Sequence, residues 1–377
     1  MPKIDHLIHQ DPTLDKLYET LEAEAASETV RSYIGASTLG HSCERNTWYT
    51  HRAASGQEAF KARTLLLFND GHRSEAAMAD YLRKIPGIDL WTHDDDGYQF
   101  GFSKFNRHVA GHIDGVIKGL VQAPTTPHIW EHKSSGKIGE LRKAILDVGE
   151  KAALQKWSTV YYAQAQLYMH GLQMTRHYLT CSSPGVREVV SCRTEYNERD
   201  AIALLAKAER VIRCEEAPPR LSEDPSYYLC KFCNHAKVCH EITPPRVNCY
   251  TCAHATARLD GPDRWWCEHH NKPAKDPCAS HRFNPHMMQP AQWEGVDEPG
   301  AAVKYSFKGK TFWNSTLGKP DHYNSTDLFD LLKDGNAAEQ FLSDPGVAEI
   351  RKTFLHEKPK PATLTSPTNF VKPMWRK

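Results

Sequence analysis

The sequence predicts an α/β protein, a mixed central sheet flanked by helices, on three observations. A β-rich stretch at 91–133 follows a helical stretch, a long helical pattern comes next, and two short strand patterns precede a further helix. Residues 10–28 read as an amphipathic helix with Asp11 as N-cap, Pro12 in the first turn, and Leu14, Leu17, Tyr18 and Leu21 on one face. They make residues 1–30 an N-terminal helical arm. Residues 59–84 are helical until Pro86-Gly87 stops them. Strands are expected at 98–102, 108–117 and 128–133, with Pro124-Thr-Thr-Pro127 turning the chain between the last two. A single helix is expected over 152–172, strands at 176–181 and 187–192, and a helix over 198–215.

Domain punctuation follows the prolines. Pro218-Pro219 and Pro244-Pro245 flank a first cysteine group, which places a core at 31–245 and a separate four-cysteine module at 246–285. Residues 286–357 read as a small α+β region, with a hairpin at 303–312 around Gly309 and a helix at 326–332 ending at Gly335. Residues 358–377 carry Pro359, Pro361, Pro367 and Pro373 and no acidic residue, the composition of a disordered basic tail.

The 377 residues are 40% apolar and 25% charged, enough chain for a full-sized core in an ordinary soluble composition. No run approaches the roughly 18 apolar residues of a membrane span, and residues 1–6 lack a signal-peptide core, so a cytoplasmic location and no membrane partner are expected. A net charge of +1 provides no global field for polyanions. Nucleic-acid binding would have to rest on local basic groups such as Arg63, Arg73, Arg83 and Lys84, or Lys137, Arg142, Lys143, Lys151 and Lys156.

The chemistry is concentrated in three short pieces: Asp114 in Gly111-His112-Ile113-Asp114-Gly115, the Glu131-x-Lys133 triplet, and Gln164-x-x-x-Tyr168. Residues two apart on a strand share a face, so Glu131 and Lys133 point together while Trp130 and His132 face away. Asp114 beside Gly115 is expected to end or bend a strand and reach the same point. Gln164 and Tyr168, four apart on a helix, also share a face. Two carboxylates suit a hard cation, Mg²⁺ or Mn²⁺, that polarises a phosphate and activates water, with Lys133 stabilising the developing charge.

In this order, these pieces resemble the PD-(D/E)XK nuclease superfamily in its RecB-like branch, over about residues 31–242. The segment from Phe68 through Glu75 matches the helix motif that precedes the strands, and the other three pieces match the remaining motifs. The resemblance implies a restriction-endonuclease-like core and a metal-dependent deoxyribonuclease with Glu75, Asp114, Glu131, Lys133, Gln164 and Tyr168 at its centre. Glu75, Asp114 and Glu131 would hold Mg²⁺ or Mn²⁺. His72, one turn before Glu75, is a further possible ligand, and the superfamily proline before the aspartate is absent. An exonuclease or end-processing enzyme of phage or bacterial recombination, repair or replication is expected. Its partner is DNA, as single strands or duplex ends, together with a recombinase, helicase or single-strand-binding protein. An endonuclease of the same superfamily, or a DNA-binding protein with a vestigial site, is the alternative.

Eleven cysteines in such a chain point to metal rather than disulfides. Cys43 with Cys230, Cys233 and Cys239 resembles the iron–sulfur staple of AddB-type nucleases, which implies a [4Fe–4S] cluster. Zn²⁺ at the same sulfurs, or a three-cysteine finger completed by His235 or His240, is the alternative. Cys249, Cys252, Cys267 and Cys278 have the spacing of a zinc ribbon, with His269, His270 and His281 as alternative ligands. Trp265 and Trp266 are expected to fill that module's small core more readily than to stack on bases. Cys181, Cys192 and Cys214 are expected to be buried apolar residues.

Overall fold

A computed structural model describes residues 11–27, 31, 33–56, 60–288, 291–297, 302–333 and 335–343. The basic tail expected at 358–377 lies outside them. The chain opens with α1 (Pro12–Ser27), then β1 (Ile34–Gly35), α2 (Ala36–Leu39), α3 (Glu44–His51) and α4 (Ala62–Arg83). Next come β2 (Asp89–Trp91), β3 (Gly101–Lys104), β4 (Val109–His112), β5 (Gly115–Lys118) and β6 (His128–Ser134). Helices α5 (Ile138–Val148), α6 (Glu150–Trp157) and α7 (Thr159–Leu172) lead to β7 (Arg176–Ser182), β8 (Val189–Glu195) and α8 (Glu198–Arg213).

These elements form the expected mixed α/β arrangement, but the strand expected at 108–117 is two strands in two sheets. β4 sits between β1 and β3 in a three-stranded sheet, whereas β5 belongs to the five-stranded sheet β2-β5-β6-β7-β8. The switch falls at Ile113-Asp114, where the chain leaves one ladder before joining the other. In the larger sheet β6 pairs parallel with β7, and the other pairings are antiparallel. The first five residues of β6 are buried, the signature of a central strand covered on both faces. Ile129 enters the main core with Leu167 and Met169 of α7, while Trp130 enters a second cluster with Met78, Ala79 and Leu82 of α4.

One helical expectation in the core changes. Residues 152–172 are not one helix: the chain breaks at Ser158, whose hydroxyl accepts from the Tyr161 amide at 3.3 Å and starts α7 anew. An N-capping serine before β-branched Thr159 and Val160 favours a fresh start over continuation. The helix expected over 10–28 is α1, and on its apolar face Leu14, Leu17 and Tyr18 are 46, 45 and 42% exposed. No helix among the described residues is long and apolar enough to cross a membrane.

Short helices α9 (Tyr228–Lys231) and α10 (Ala236–His240) follow the core. The second cysteine segment forms a small antiparallel sheet of β9 (Ala255–Ala257), β10 (Trp265–Cys267) and β11 (Lys272–Pro273), with β10 central. A four-stranded sheet of β12 (Gln292–Asp297), β13 (Ala302–Phe307), β14 (Lys310–Ser315) and β15 (His322–Tyr323) comes last, with α11 (Ser325–Leu332) and α12 (Gly335–Ser343). The hairpin around Gly309 turns through Lys308 and Gly309 at φ 49° and 83°, as a two-residue loop requires. Gly335 opens α12 rather than ending α11, whose C-cap is Lys333. Val303, Tyr305, Phe312, Leu328 and Phe341 form this unit's own core.

Candidate active site

The strand switch builds the site. Because β5 begins only at Gly115, opposite Trp130, the amide of His132 on β6 has no strand partner on that side. Asp114 replaces it: its carboxylate accepts the His132 amide at 2.7 Å. That bond pins Asp114 against the β6 segment that carries Glu131 and Lys133.

Glu131 is 3% exposed and sits in an ion pair with the Lys133 ammonium. Gln164 donates its amide both to Glu131 Oε1 at 2.9 Å and to the Tyr168 hydroxyl at 2.8 Å. The Q-x-x-x-Y pair is therefore a brace for the strand carboxylate. A side chain at Gly111 would put its Cβ 2.6 Å from Tyr168 Cε1, so glycine lets β4 pass directly under the tyrosine ring. On the far side of β6, His132 lies between Thr180 Oγ1 at 3.0 Å and Ser182 Oγ at 3.2 Å, fixing the strand from behind.

Glu75, half-buried on α4, completes the cluster. Its carboxyl is pushed up to about 7 by burial and then by the charge of Asp114. Glu131 is pushed up to about 8 by burial and by Asp114 and Glu75, against the opposing pull of Lys133. Burial also raises Asp114, while Lys133, the His132 amide and His72 pull it back. Lys133 is held well above the ordinary lysine range because Glu131 and Asp114 outweigh its own burial. Half-buried Glu75 and exposed His72 are thus both within electrostatic reach of Asp114.

Three buried or half-buried carboxyls whose proton affinities are all raised, two of them by neighbouring carboxylates, form a site short of positive charge. The Oε2 of Glu131 is buried and has no hydrogen-bond partner, which costs free energy unless a proton or cation meets it. Among the described residues, no three His, Cys, Asp or Glu side chains are already drawn into a metal cage. The chemistry of the donor set still fits a hard divalent cation: carboxylate oxygens, one of them buried and orphaned. Sequence reasoning missed Tyr161, whose ring lies 5.5 Å from the Lys133 ammonium. The signal was available, since Tyr161 precedes Gln164 by three on the same helix.

The basic groups singled out in the sequence are mostly neutralised. Arg83, Lys137, Arg142, Lys143 and Lys151 each sit in a surface ion pair with a carboxylate. Solvated helix faces explain them.

Both cysteine groups are brought together, and all eleven thiols are free. Cys43, Cys230, Cys233 and Cys239 line one cavity of about 500 Å³. Cys43 caps α3 through the Asn46 amide at 3.4 Å, and Cys233 accepts from Asn46 Nδ2 at 3.2 Å and the His235 amide at 3.4 Å. His235 is not free to complete a finger: its ring nitrogens meet Thr50 Oγ1 and Ser55 Oγ, both at 3.0 Å. Cys249, Cys252, Cys267 and Cys278 line a second cavity of about 310 Å³. There His270 Nε2 lies 3.3 Å from Cys278 Sγ, while His281 is turned to the Asn248 carbonyl at 3.0 Å. Cys181 and Cys192 are buried as expected; Cys214 is only partly so, its thiol donating to the Glu216 carbonyl at 2.9 Å.

Comparison with known proteins gives little beyond this. No family model matches the chain, and no curated protein matches it. Among solved structures, SSO0001 is similar over 61% of this chain and 98% of its own, at 13% identity and a TM-score of 0.36. The alkaline exonuclease LHK-Exo of Laribacter hongkongensis is similar over 52% of this chain and 90% of its own, at 12% identity and a TM-score of 0.32. Its complex with dAMP covers the same shares at 11% identity and the same score. Likeness at that level is weak, and the functional reading stands on the residues of this chain.

Proposed function

We propose that this chain is a divalent-metal-dependent DNA nuclease of the PD-(D/E)XK kind, in the RecB-like branch. The observation that carries it is the orphaned, buried Glu131 carboxylate, set beside Asp114, Glu75 and the Lys133 ammonium. Glu131, Asp114 and Glu75 are the residues that would hold Mg²⁺ or Mn²⁺, with His72 beside them. The cation, when bound, polarises the phosphate and lowers the pKa of water. Lys133 then stabilises charge on the phosphoryl oxygens. Gln164 keeps the Glu131 carboxylate aimed, and Tyr168 holds Gln164. Action on DNA ends, as an exonuclease in recombination, repair or replication, is the form of this activity that the family resemblance favours. A recombinase, helicase or single-strand-binding protein would supply the substrate.

End-labelled single- and double-stranded DNA, linear and circular, tests the reading with and without Mg²⁺. Mg²⁺-dependent release of mononucleotides from linear substrates alone is the expected result. Cleavage of circles would make it an endonuclease, and binding without cleavage would make it a DNA-binding protein with a vestigial site.

The Cys43–Cys239 group is proposed to hold a [4Fe–4S] cluster, with Zn²⁺ as the competing occupant. Four sulfurs around one cavity, two of them accepting amide hydrogens, suit thiolates held by a metal. Protein prepared without oxygen should be brown and absorb near the visible blue, and Cys233→Ser should bleach it. A colourless protein carrying zinc would assign the site to zinc instead.

A further inference from the structure

The loop between β9 and β10 of the second cysteine module grips a strained turn of the nuclease core. That turn, between β3 and β4, holds Phe105, Asn106 and Arg107 at φ 52°, 52° and 66°. Three successive left-handed non-glycine residues persist only where the surroundings over-determine them. The module supplies those surroundings. Asn106 Nδ2 donates to the carbonyls of Arg258 at 3.2 Å and Asp260 at 3.1 Å, and Arg264 donates to the Arg107 carbonyl at 3.1 Å.

A buried histidine pair locks the same joint. His108 Nε2 meets the Arg258 carbonyl at 3.1 Å, so that nitrogen carries the hydrogen and Nδ1 is bare. His51 Nε2 must then be the donor in its 2.8 Å bond to His108 Nδ1, which leaves His51 Nδ1 as the buried nitrogen without a partner. Trp265 of β10 covers the pair, its ring 4.9 Å from His51 and 5.6 Å from His108. Its neighbour Cys267, also on β10, is one of the four cysteines around the second cavity.

From this turn β4 runs straight to the active site. His108 is followed by Val109–His112, passing under Tyr168 at Gly111, and then by Ile113, whose amide donates to the Phe100 carbonyl at 3.0 Å. Asp114 is next. We propose that the Cys249–Cys252–Cys267–Cys278 module is a clamp, closed by a thiophilic cation such as Zn²⁺, that sets the position of Asp114 through the 105–107 turn. Asn106 is its main positioning residue. The cation site stands on four cysteines around one cavity, with His270 Nε2 3.3 Å from Cys278 Sγ at its rim. The consequence for catalysis rests on the nuclease reading; the clamp itself does not.

The test uses the full chain in three variants: N106G, which keeps the left-handed backbone accessible but removes the two donors; C249S/C252S; and all three changes together. Metal content, amide exchange over 109–114 and Mn²⁺ affinity of the carboxylate cluster are measured. C249S/C252S should lose one metal per chain, and N106G should keep it. Both should speed exchange over 109–114 and weaken Mn²⁺ binding roughly tenfold, and the combination should add nothing further. Unchanged exchange and Mn²⁺ affinity in N106G would overturn the clamp, as would metal content untouched by C249S/C252S. If the cysteine variant aggregates, N106G alone decides the clamp. None of these readouts needs cleavage, so a protein that cuts no DNA would sink the nuclease reading and leave the clamp standing.

Discussion

Substituting Lys133 by Ala should reduce Mg²⁺-dependent DNA cleavage by on the order of 10³, with little loss of stability. The catalytic loss follows from position, because Lys133 is the ammonium that faces both Glu131 and Asp114. The mild structural effect follows from the carboxyl it leaves behind. An unpaired buried carboxylate is costly, but burial and Asp114 already push Glu131 up to about 8 against the pull of Lys133, so without the ammonium it can go neutral at physiological pH. Glu131→Ala should abolish cleavage as completely, since it removes the group that Gln164 and Lys133 both address. Initial rates on end-labelled DNA together with thermal melts check both variants. Either variant retaining near-normal rates in a folded protein would remove these residues from the active site.

The same residues show how much of the site could be read from the sequence. Glu131 and Lys133 were legible because strand alternation is local: two residues apart means one face, whatever the partner strands. Gln164 and Tyr168 were legible for the same reason on a helix. The Asp114 bend could be anticipated beside Gly115, but the switch between sheets could not, since pairing is decided by strands far along the chain. Only that switch explains why Asp114 reaches the His132 amide.

Elsewhere the misses share a cause. The apolar face of α1 was legible as such, yet periodicity records amphipathicity and not what covers the helix, and Leu14, Leu17 and Tyr18 stay exposed. The break at Ser158 rested on a single hydroxyl competing with helix continuation. His235 looked like a spare ligand until Thr50 and Ser55 were found on its two nitrogens. Trp265 was expected to fill the core of its own module; it also covers a histidine pair contributed by α3 and the start of β4.

Withholding divalent cations should make the protein less stable as pH rises from 6.5 to 8, by roughly 5 °C in melting temperature. The sign follows from proton binding. Burial pushes Glu75 and Glu131 up to about 7 and about 8 in the folded protein, against an ordinary glutamate value of 4.5. The folded state therefore binds more protons between those limits, and stability present below about pH 4.5 is lost as pH rises through the folded values. The buried histidines oppose this at lower pH: His108 and His235 are pushed down to about 4 by burial, so unfolding takes up protons there. Their contribution is spent above about pH 6.5, where an unfolded histidine is mostly neutral, and that sets the lower edge of the window. Below pH 8 the buried thiols of Cys181 and Cys192, raised by burial, also stay protonated in both states. Mg²⁺ should reverse the trend, its affinity rising through the same window because each bound cation displaces protons. Glu75→Gln separates the cluster from the rest of the protein. With one titrating carboxyl gone, the metal-free protein should be more stable than wild type at pH 8, lose less on the way from 6.5, and gain less from Mg²⁺. Melts that rise with pH across this window without metal, or a Glu75→Gln slope equal to the parent's, would show that these carboxyls do not hold protons for one another.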